Sequence, residues 1–159
     1  MKLQINPVQK GDIDTVFAIQ QAAYKPLFEK YRDAATNPYM ESRETVLRKY
    51  TRAGTIGYLF VQNGYAVGAV RLSIDHERHW GRVSALCVLP QYQGQGIAQC
   101  ALREIERRHT DIERWYLDTI LEEAGNCHLY EKLGYCRTGT PQPINAYMTL
   151  VNYEKNKQS

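Results

Sequence analysis

The chain has 159 residues and a mass of 18.4 kDa, with 43% apolar residues, 23% charged residues and a net charge of +3. These figures fit one domain around a single core and exclude disorder over most of the length. No apolar run approaches the roughly 20 residues of a membrane-spanning helix, and no segment forms the basic stripe expected of a nucleic-acid binder.

Lys2–Asn6 alternates and stops at Pro7, which predicts a short first strand. The opening stretch MKLQINPVQKGDID lacks the apolar centre of a secretory signal, so a cytoplasmic protein is expected. Gly11-Asp12 opens a helix whose apolar stripe runs through Ile13, Val16, Phe17, Ile19, Gln20, Ala23 and Tyr24. Pro26 is expected to interrupt it and to start a second short helix reaching about Asp33. Ala34–Met40 reads as a loop, and Ser42-Arg43-Glu44-Thr45 begins a helix that buries Val46, Leu47 and Tyr50.

After Gly54 the periodicity changes to two. Ile56–Gln62 and Tyr65–Ile74 read as strands joined by Asn63-Gly64, a pair suited to a tight hairpin because both residues accept positive φ. The polar turn DHERHWG leads into a third strand, Arg82–Val88, giving an antiparallel meander. From Gly94 the pattern is helical. Ile97, Ala98, Ala101, Leu102 and Ile105 form one face, and Arg107, Arg108 and His109 complement the C-terminal dipole. Arg114–Asp118 is a strand, Glu122–Leu133 a helix closed by Gly134, and Tyr135–Thr138 and Ala146–Tyr153 the last strands. Glu154–Ser159 reads as a polar, frayed tail after a domain covering 1–153. The order predicts a single-domain α/β fold: a mixed sheet with an antiparallel meander, a parallel crossover and helices on both faces.

Charge is uneven along the chain. Residues 1–53 hold nine basic and six acidic groups, and residues 91–135 hold five basic and eight acidic. Cys87, Cys100, Cys127 and Cys136 form no C-x-x-C pair, so reduced and mostly buried thiols are expected rather than disulfides or zinc. His76 and His79 sit three apart in a charged turn with no evident third ligand, and no metal is assigned there.

The most informative segment is Val88-Leu89-Pro90-Gln91-Tyr92-Gln93-Gly94-Gln95-Gly96-Ile97-Ala98. A strand runs into a tight turn with two glycines, and a helix starts at once. The first N–H groups of a helix have no internal partner and carry the positive dipole end, which favours a phosphate. Positions 91–100 contain no acidic side chain to occupy those donors. A dinucleotide fingerprint would need glycine where Gln99 stands, and the G-K-[S/T] of a P-loop is absent. A glycine turn serving geometry alone is the plain alternative.

Gln91-Tyr92-Gln93-Gly94-Gln95-Gly96 resembles the Q/R-x-x-G-x-G/A signature of the GNAT superfamily of acyl-CoA N-acyltransferases. Asn126-Cys127-His128-Leu129-Tyr130-Glu131-Lys132-Leu133-Gly134-Tyr135 is similar to the family's N-x-x-x-Y-E-K-x-G-[F/Y] segment. The element order matches over residues 1–153. The resemblance implies acetyl-CoA as co-substrate, with no metal, and a small-molecule or peptide amine as acceptor. It implies that Leu86, Cys87 and Val88 offer backbone groups to the pantetheine arm. Gln93, Gly94, Gln95, Gly96, Ile97 and Ala98 would bind the diphosphate, Asn126 the pantetheine region, and Tyr130 would be the general acid for the departing thiolate.

Strand Arg82–Val88 departs from many relatives in carrying no acidic residue, so the base is sought elsewhere: Asp118 first, then His128 and Glu122, or a water relay. Tyr24, Tyr31 and Tyr39 lie where relatives build the acceptor pocket, or else pack the first helices. Cys87 reads as a small buried hydrophobe. The expectation is an acetyl-CoA-dependent N-acetyltransferase using direct attack in a ternary complex, with a homodimer as a candidate assembly. The alternatives are a non-catalytic acyl-CoA-binding regulatory module and a Rossmann-type nucleotide enzyme, the latter opposed by Gln99 and the meander.

Overall fold

A computed structural model describes residues 2–157. Its strands are β1 (Leu3–Pro7), β2 (Thr55–Gln62), β3 (Tyr65–Asp75), β4 (Trp80–Val88), β5 (Arg114–Ile120), β6 (Cys136–Asn145) and β7 (Met148–Asn156). Its helices are α1 (Ile13–Tyr31), α2 (Arg43–Thr51), α3 (Ile97–Arg108) and α4 (Ala124–Lys132). The strands form one mixed sheet in the order β1-β2-β3-β4-β5-β7-β6, in which only β4 and β5 pair in parallel. The expected meander, crossover and single mixed sheet are therefore present.

Several elements follow from local chemistry. Asn63 and Gly64 both hold positive φ (52° and 82°) at the β2–β3 hairpin, as a primed turn requires. Ser42 caps α2 by accepting from the Thr45 N–H at 3.1 Å. The apolar faces then divide the helices between the two sides of the sheet. Ile13, Val16, Ile19 and Ala23 of α1 and Val46 and Tyr50 of α2 pack with Leu59, Ala69 and Cys87. Ile97, Ala101, Leu102 and Ile105 of α3 and Cys127 and Tyr130 of α4 pack with Phe60, Val70, Leu72, Trp115 and Leu117.

Three boundaries differ from the sequence reading. Pro26 does not interrupt α1, which runs unbroken from Ile13 to Tyr31. Proline removes one N–H donor there, but the packing of Ile13, Val16, Ile19 and Ala23 against the sheet holds the helix across it. The helix ends at Arg32, whose φ of 57° is left-handed. Strand β6 extends to Asn145, well past Thr138, as an exposed edge strand whose Pro141 and Pro143 leave ladder donors missing. Strand β7 continues through Asn156, so Glu154–Asn156, read as tail, pair with Tyr116, Trp115 and Arg114 of β5. Gln158 and Ser159 of that tail, and Met1, lie outside the described residues.

Candidate active site

The sheet opens between its two parallel strands. Their pairing covers only Trp80↔Arg114, Gly81↔Trp115 and Arg82↔Tyr116, although β4 continues to Val88 and β5 to Ile120. An irregularity in β4 drives the separation. Ala85 has a φ of 49°, and the β3–β4 register shifts beside it, between Ala69↔Cys87 and Arg71↔Ser84. A bulge bends its strand and strengthens the local twist. The result is a cleft of about 940 Å³ whose walls are the ends of β4 and β5, α1, the start of α3 and the first turn of α4.

One wall is the β4–α3 turn. Gly94 and Gly96 have φ of 77° and 80°, the left-handed region that favours glycine. The Gln93 side chain ties the turn back to its strand by donating to the Val88 carbonyl at 2.9 Å. No hydrogen bond among the described residues uses the N–H groups of residues 94–99, and the first internal bond is Cys100 N–H to the Gly96 carbonyl at 3.0 Å. The first turn of α3 has no side-chain cap and no acidic residue. Uncapped donors and the positive dipole end therefore face the cleft, an arrangement suited to a multiply charged anion.

The opposite wall is α4. Asn126 and Tyr130 line the cleft from it, and Tyr130 is only 7% exposed. Its ring packs against Tyr135 and Tyr153 with centroids 5.9 Å and 6.1 Å away. Burial pushes its phenol well above the ordinary tyrosine range, so it stays protonated at any physiological pH. The floor is β4. Tyr24 of α1 crosses to it and donates to the Leu86 carbonyl at 2.6 Å. Burial, and then the neighbouring Cys87 and Tyr130, raise the Tyr24 phenol too. The Cys87 thiol is buried, contacts the Ala69 carbonyl at 3.7 Å and is pushed up to about 12, which leaves it a poor nucleophile.

Of the residues singled out from the sequence, Tyr24, Leu86, Cys87, Val88, Gln93, Gly94, Gly96, Ile97, Ala98, Asp118, Asn126 and Tyr130 line this one cleft. Gln95 lies in the turn but not on the cleft wall. Tyr31 does not line it either: it is 2% exposed and its hydroxyl donates to Glu123, the residue before α4. Lys30 reaches the same carboxylate at 2.9 Å. Burial pushes the Glu123 carboxyl up, but the hydrogen bonds from Lys30 and Tyr31 outweigh it and hold the group below its usual range. Asp118 pairs with Arg82 at 2.5 Å. His128 and Glu122 are exposed and off the cleft, and Glu122 accepts from the Thr149 N–H at 2.8 Å.

Sequence reasoning missed Arg71, Glu41, Lys49 and Arg82, which also line the cleft. Arg71 carried a signal, being the one charge inside the apolar run AVGAVRLSI. The Ala85 bulge carried none, because alanine has no preference for positive φ. The helix α1 that supplies Tyr24 lies 62 residues before the Leu86 it touches.

The profile of the acetyltransferase (GNAT) family matches residues 24–135, well over half of the chain. The chain is 26% identical over 118 residues to the uncharacterized protein YrkN of Bacillus subtilis (strain 168). That match covers 74% of this chain and 63% of the relative, less than two thirds of its length. The fold is similar to the ribosomal-protein-S18-alanine N-acetyltransferase of Escherichia coli, with a TM-score of 0.80, 15% identity and coverage of 99% and 96% of the two chains. It is also similar to the spermidine N-acetyltransferase of Vibrio cholerae in complex with CoA and spermine, with a TM-score of 0.77, 18% identity and coverage of 98% and 95%. A third similar structure is the PaiA N-acetyltransferase of Thermoplasma acidophilum in complex with coenzyme A, at a TM-score of 0.72, 15% identity and coverage of 98% and 99%.

Proposed function

Because the chain belongs to the GNAT acetyltransferase family, we propose that it is an acetyl-CoA-dependent N-acetyltransferase that modifies a primary amine by direct attack in a ternary complex. The observation that carries this reading is the row of N–H groups at residues 94–99 with no internal acceptor, on the wall of a cleft long enough to reach Tyr130. A helix start left uncapped on a cleft wall offers an anion its unpaired N–H donors and the positive end of the dipole. The residues therefore fit acetyl-CoA. Gln93, Gly94, Gly96, Ile97 and Ala98 hold its diphosphate, and Leu86, Cys87, Val88 and Asn126 hold its pantetheine arm.

When bound, acetyl-CoA supplies a thioester whose carbonyl carbon the amine attacks and whose sulfur leaves as a thiolate. Anchoring at the α3 start orients that group and lowers the entropic cost of the encounter. A backbone N–H near Cys87–Val88 donates to the carbonyl oxygen as charge builds there. Tyr130 donates its Oη proton to the leaving sulfur, and burial ensures that the phenol arrives protonated. The proton lost by the amine leaves through water to Asp118, which lines the cleft beside Arg82. Cys87 stays a thiol, which favours direct transfer over an acyl-cysteine route.

The test is calorimetric titration with acetyl-CoA together with thiol release over a panel of primary amines. Binding with turnover is expected. No binding of the coenzyme overturns the reading, and binding without turnover of any amine makes the protein an acyl-CoA-binding regulatory module instead.

A further inference from the structure

The cleft continues past the Ala85 bulge, on the face of the sheet covered by α1 and α2. Four cationic side chains line it: Lys30, Lys49, Arg71 and Arg82. Lys30 is paired with Glu123, Lys49 with Glu41 and Arg82 with Asp118. Arg71 has no carboxylate partner and no hydrogen bond among the described residues, and its Nη1 atom is buried without an acceptor. The fourth cleft carboxylate, Asp33, is 5% exposed and accepts from the Thr36 hydroxyl at 2.8 Å and the Asn37 amide at 3.1 Å within its own loop.

The surroundings of Arg71 place it beside the β4 bulge and against α2. Its register partners are Gly57 on β2 and Ser84 on β4, the residue before the bulge. Its guanidinium lies 5.9 Å from the centre of the Tyr50 ring. Tyr50 is 7% exposed and its hydroxyl is buried with no partner either. A Cβ on Gly57 would come within 2.5 Å of the Tyr50 ring, so the glycine is what lets that ring lie beside the arginine. The charge of Arg71 is felt by the phenols of both Tyr24 and Tyr50. Tyr24 in turn holds the Leu86 carbonyl, at the point where β4 bends.

We infer that the acceptor amine carries a carboxylate, and that Arg71 is the residue that receives it. This rests on the N-acetyltransferase reading above. A guanidinium that is half-buried, unpaired and partly orphaned has given up water without gaining an acceptor, and a planar carboxylate restores two of its hydrogen bonds at once. The other three cleft cations are each held in an ion pair and Asp33 is tied to Thr36 and Asn37 of its own loop, so Arg71 is the cleft cation left without a partner among the described residues. A polycationic amine is repelled by that charge, and an amino acid or other amino carboxylate is attracted by it.

The experiment uses the full chain with acetyl-CoA and reads thiol release on matched amines: amino acids, their carboxamides, an aminoalkylphosphonate and spermidine. The amino acids are expected to exceed their carboxamides in kcat/KM by about tenfold or more, the scale of one charge-assisted hydrogen bond. Arg71→Gln should raise KM for the carboxylates, leave KM for the carboxamides and the affinity for acetyl-CoA unchanged, and Arg71→Lys should recover part of the loss. A preference for the phosphonate would reassign the anion to a phosphate-like group and overturn the carboxylate. A preference for carboxamides or spermidine, or an unchanged preference in both Arg71 variants, overturns the inference while leaving the acetyltransferase intact. If the wild-type protein binds coenzyme but turns over no amine, the acetyltransferase reading fails and the inference fails with it. Failure to bind acetyl-CoA removes the underlying reading and this one with it.

Discussion

Gln99→Glu separates the anion-binding role of the α3 start from its structural role, because the two predict opposite signs. Gln99 is the third residue of α3, its N–H has no internal acceptor, and its side-chain amide, turned so that the oxygen faces Arg103, accepts from that guanidinium at 2.9 Å and 3.1 Å. The substitution keeps shape and size. It adds a carboxylate to the positive end of the helix, worth about 0.3–1 kcal/mol, and converts the contact with Arg103 into an i,i+4 ion pair worth about 0.3–0.5 kcal/mol. The variant should therefore unfold later, by about 2–4 °C per kcal/mol for a chain of this size. Affinity for coenzyme A should fall. A single charge about 10 Å from a doubly charged diphosphate in water costs about 0.8 kcal/mol, or about fourfold in Kd. With a screening length of about 10 Å at 0.1 M salt and about 3 Å at 1 M, the loss should shrink as salt is raised. Differential scanning calorimetry and isothermal titration at about 20 mM and about 500 mM salt, where screening is weak and strong respectively, measure both quantities. A stabilised variant that binds coenzyme as tightly as the wild type at low salt would refute the assignment of the diphosphate to this turn.

Tyr130→Phe should lower kcat by about a hundredfold or more with little change in acetyl-CoA affinity, as expected for loss of a general acid. Burial holds the Tyr130 phenol above its ordinary value of 10.0, so the wild-type kcat should show no fall attributable to this group between about pH 7 and 9.5, measured by thiol release. Gly57→Ala drives a methyl group to 2.5 Å from the Tyr50 ring and 3.2 Å from Val8, and should cost about 1–3 kcal/mol by urea denaturation. Burial depresses His109, whose Nε2 lies 2.8 Å from the Tyr58 hydroxyl, below its ordinary value of 6.5. A base depressed in the folded state contributes stability that is complete above the unfolded pKa and is lost as pH falls toward the folded one. Unfolding midpoints should therefore drop as pH falls below about 6.5, and His109→Gln should flatten that dependence.

The readings that succeeded rest on interactions confined to a few consecutive residues. Asn63-Gly64 closes its hairpin because its own φ angles allow it, and Ser42 caps α2 through a donor three residues away. Gly94 and Gly96 make the turn into α3 by the same local freedom, and the absence of Asp or Glu near it is visible in the letters alone. The two motifs carry the family resemblance, and the order of the elements carries the mixed sheet. The failures rest on distant partners. Pro26 sits inside α1 because buried neighbours outweigh a lost hydrogen bond, and Tyr31 turned inward because Glu123 waits 92 residues along the chain.

What the amino-acid order determined by itself is therefore the set of elements and the uncapped donors at the head of α3, since both follow from local φ preferences and from which side chains are missing. Only the tertiary structure decided that β4 and β5 part after three pairs, that Ala85 bends the strand away, and that Tyr24, Tyr130 and an unpaired Arg71 meet in the opening. The reason is physical: a strand's splay and a charge's lack of a partner are properties of neighbours brought together by packing, and no short stretch of chain contains them.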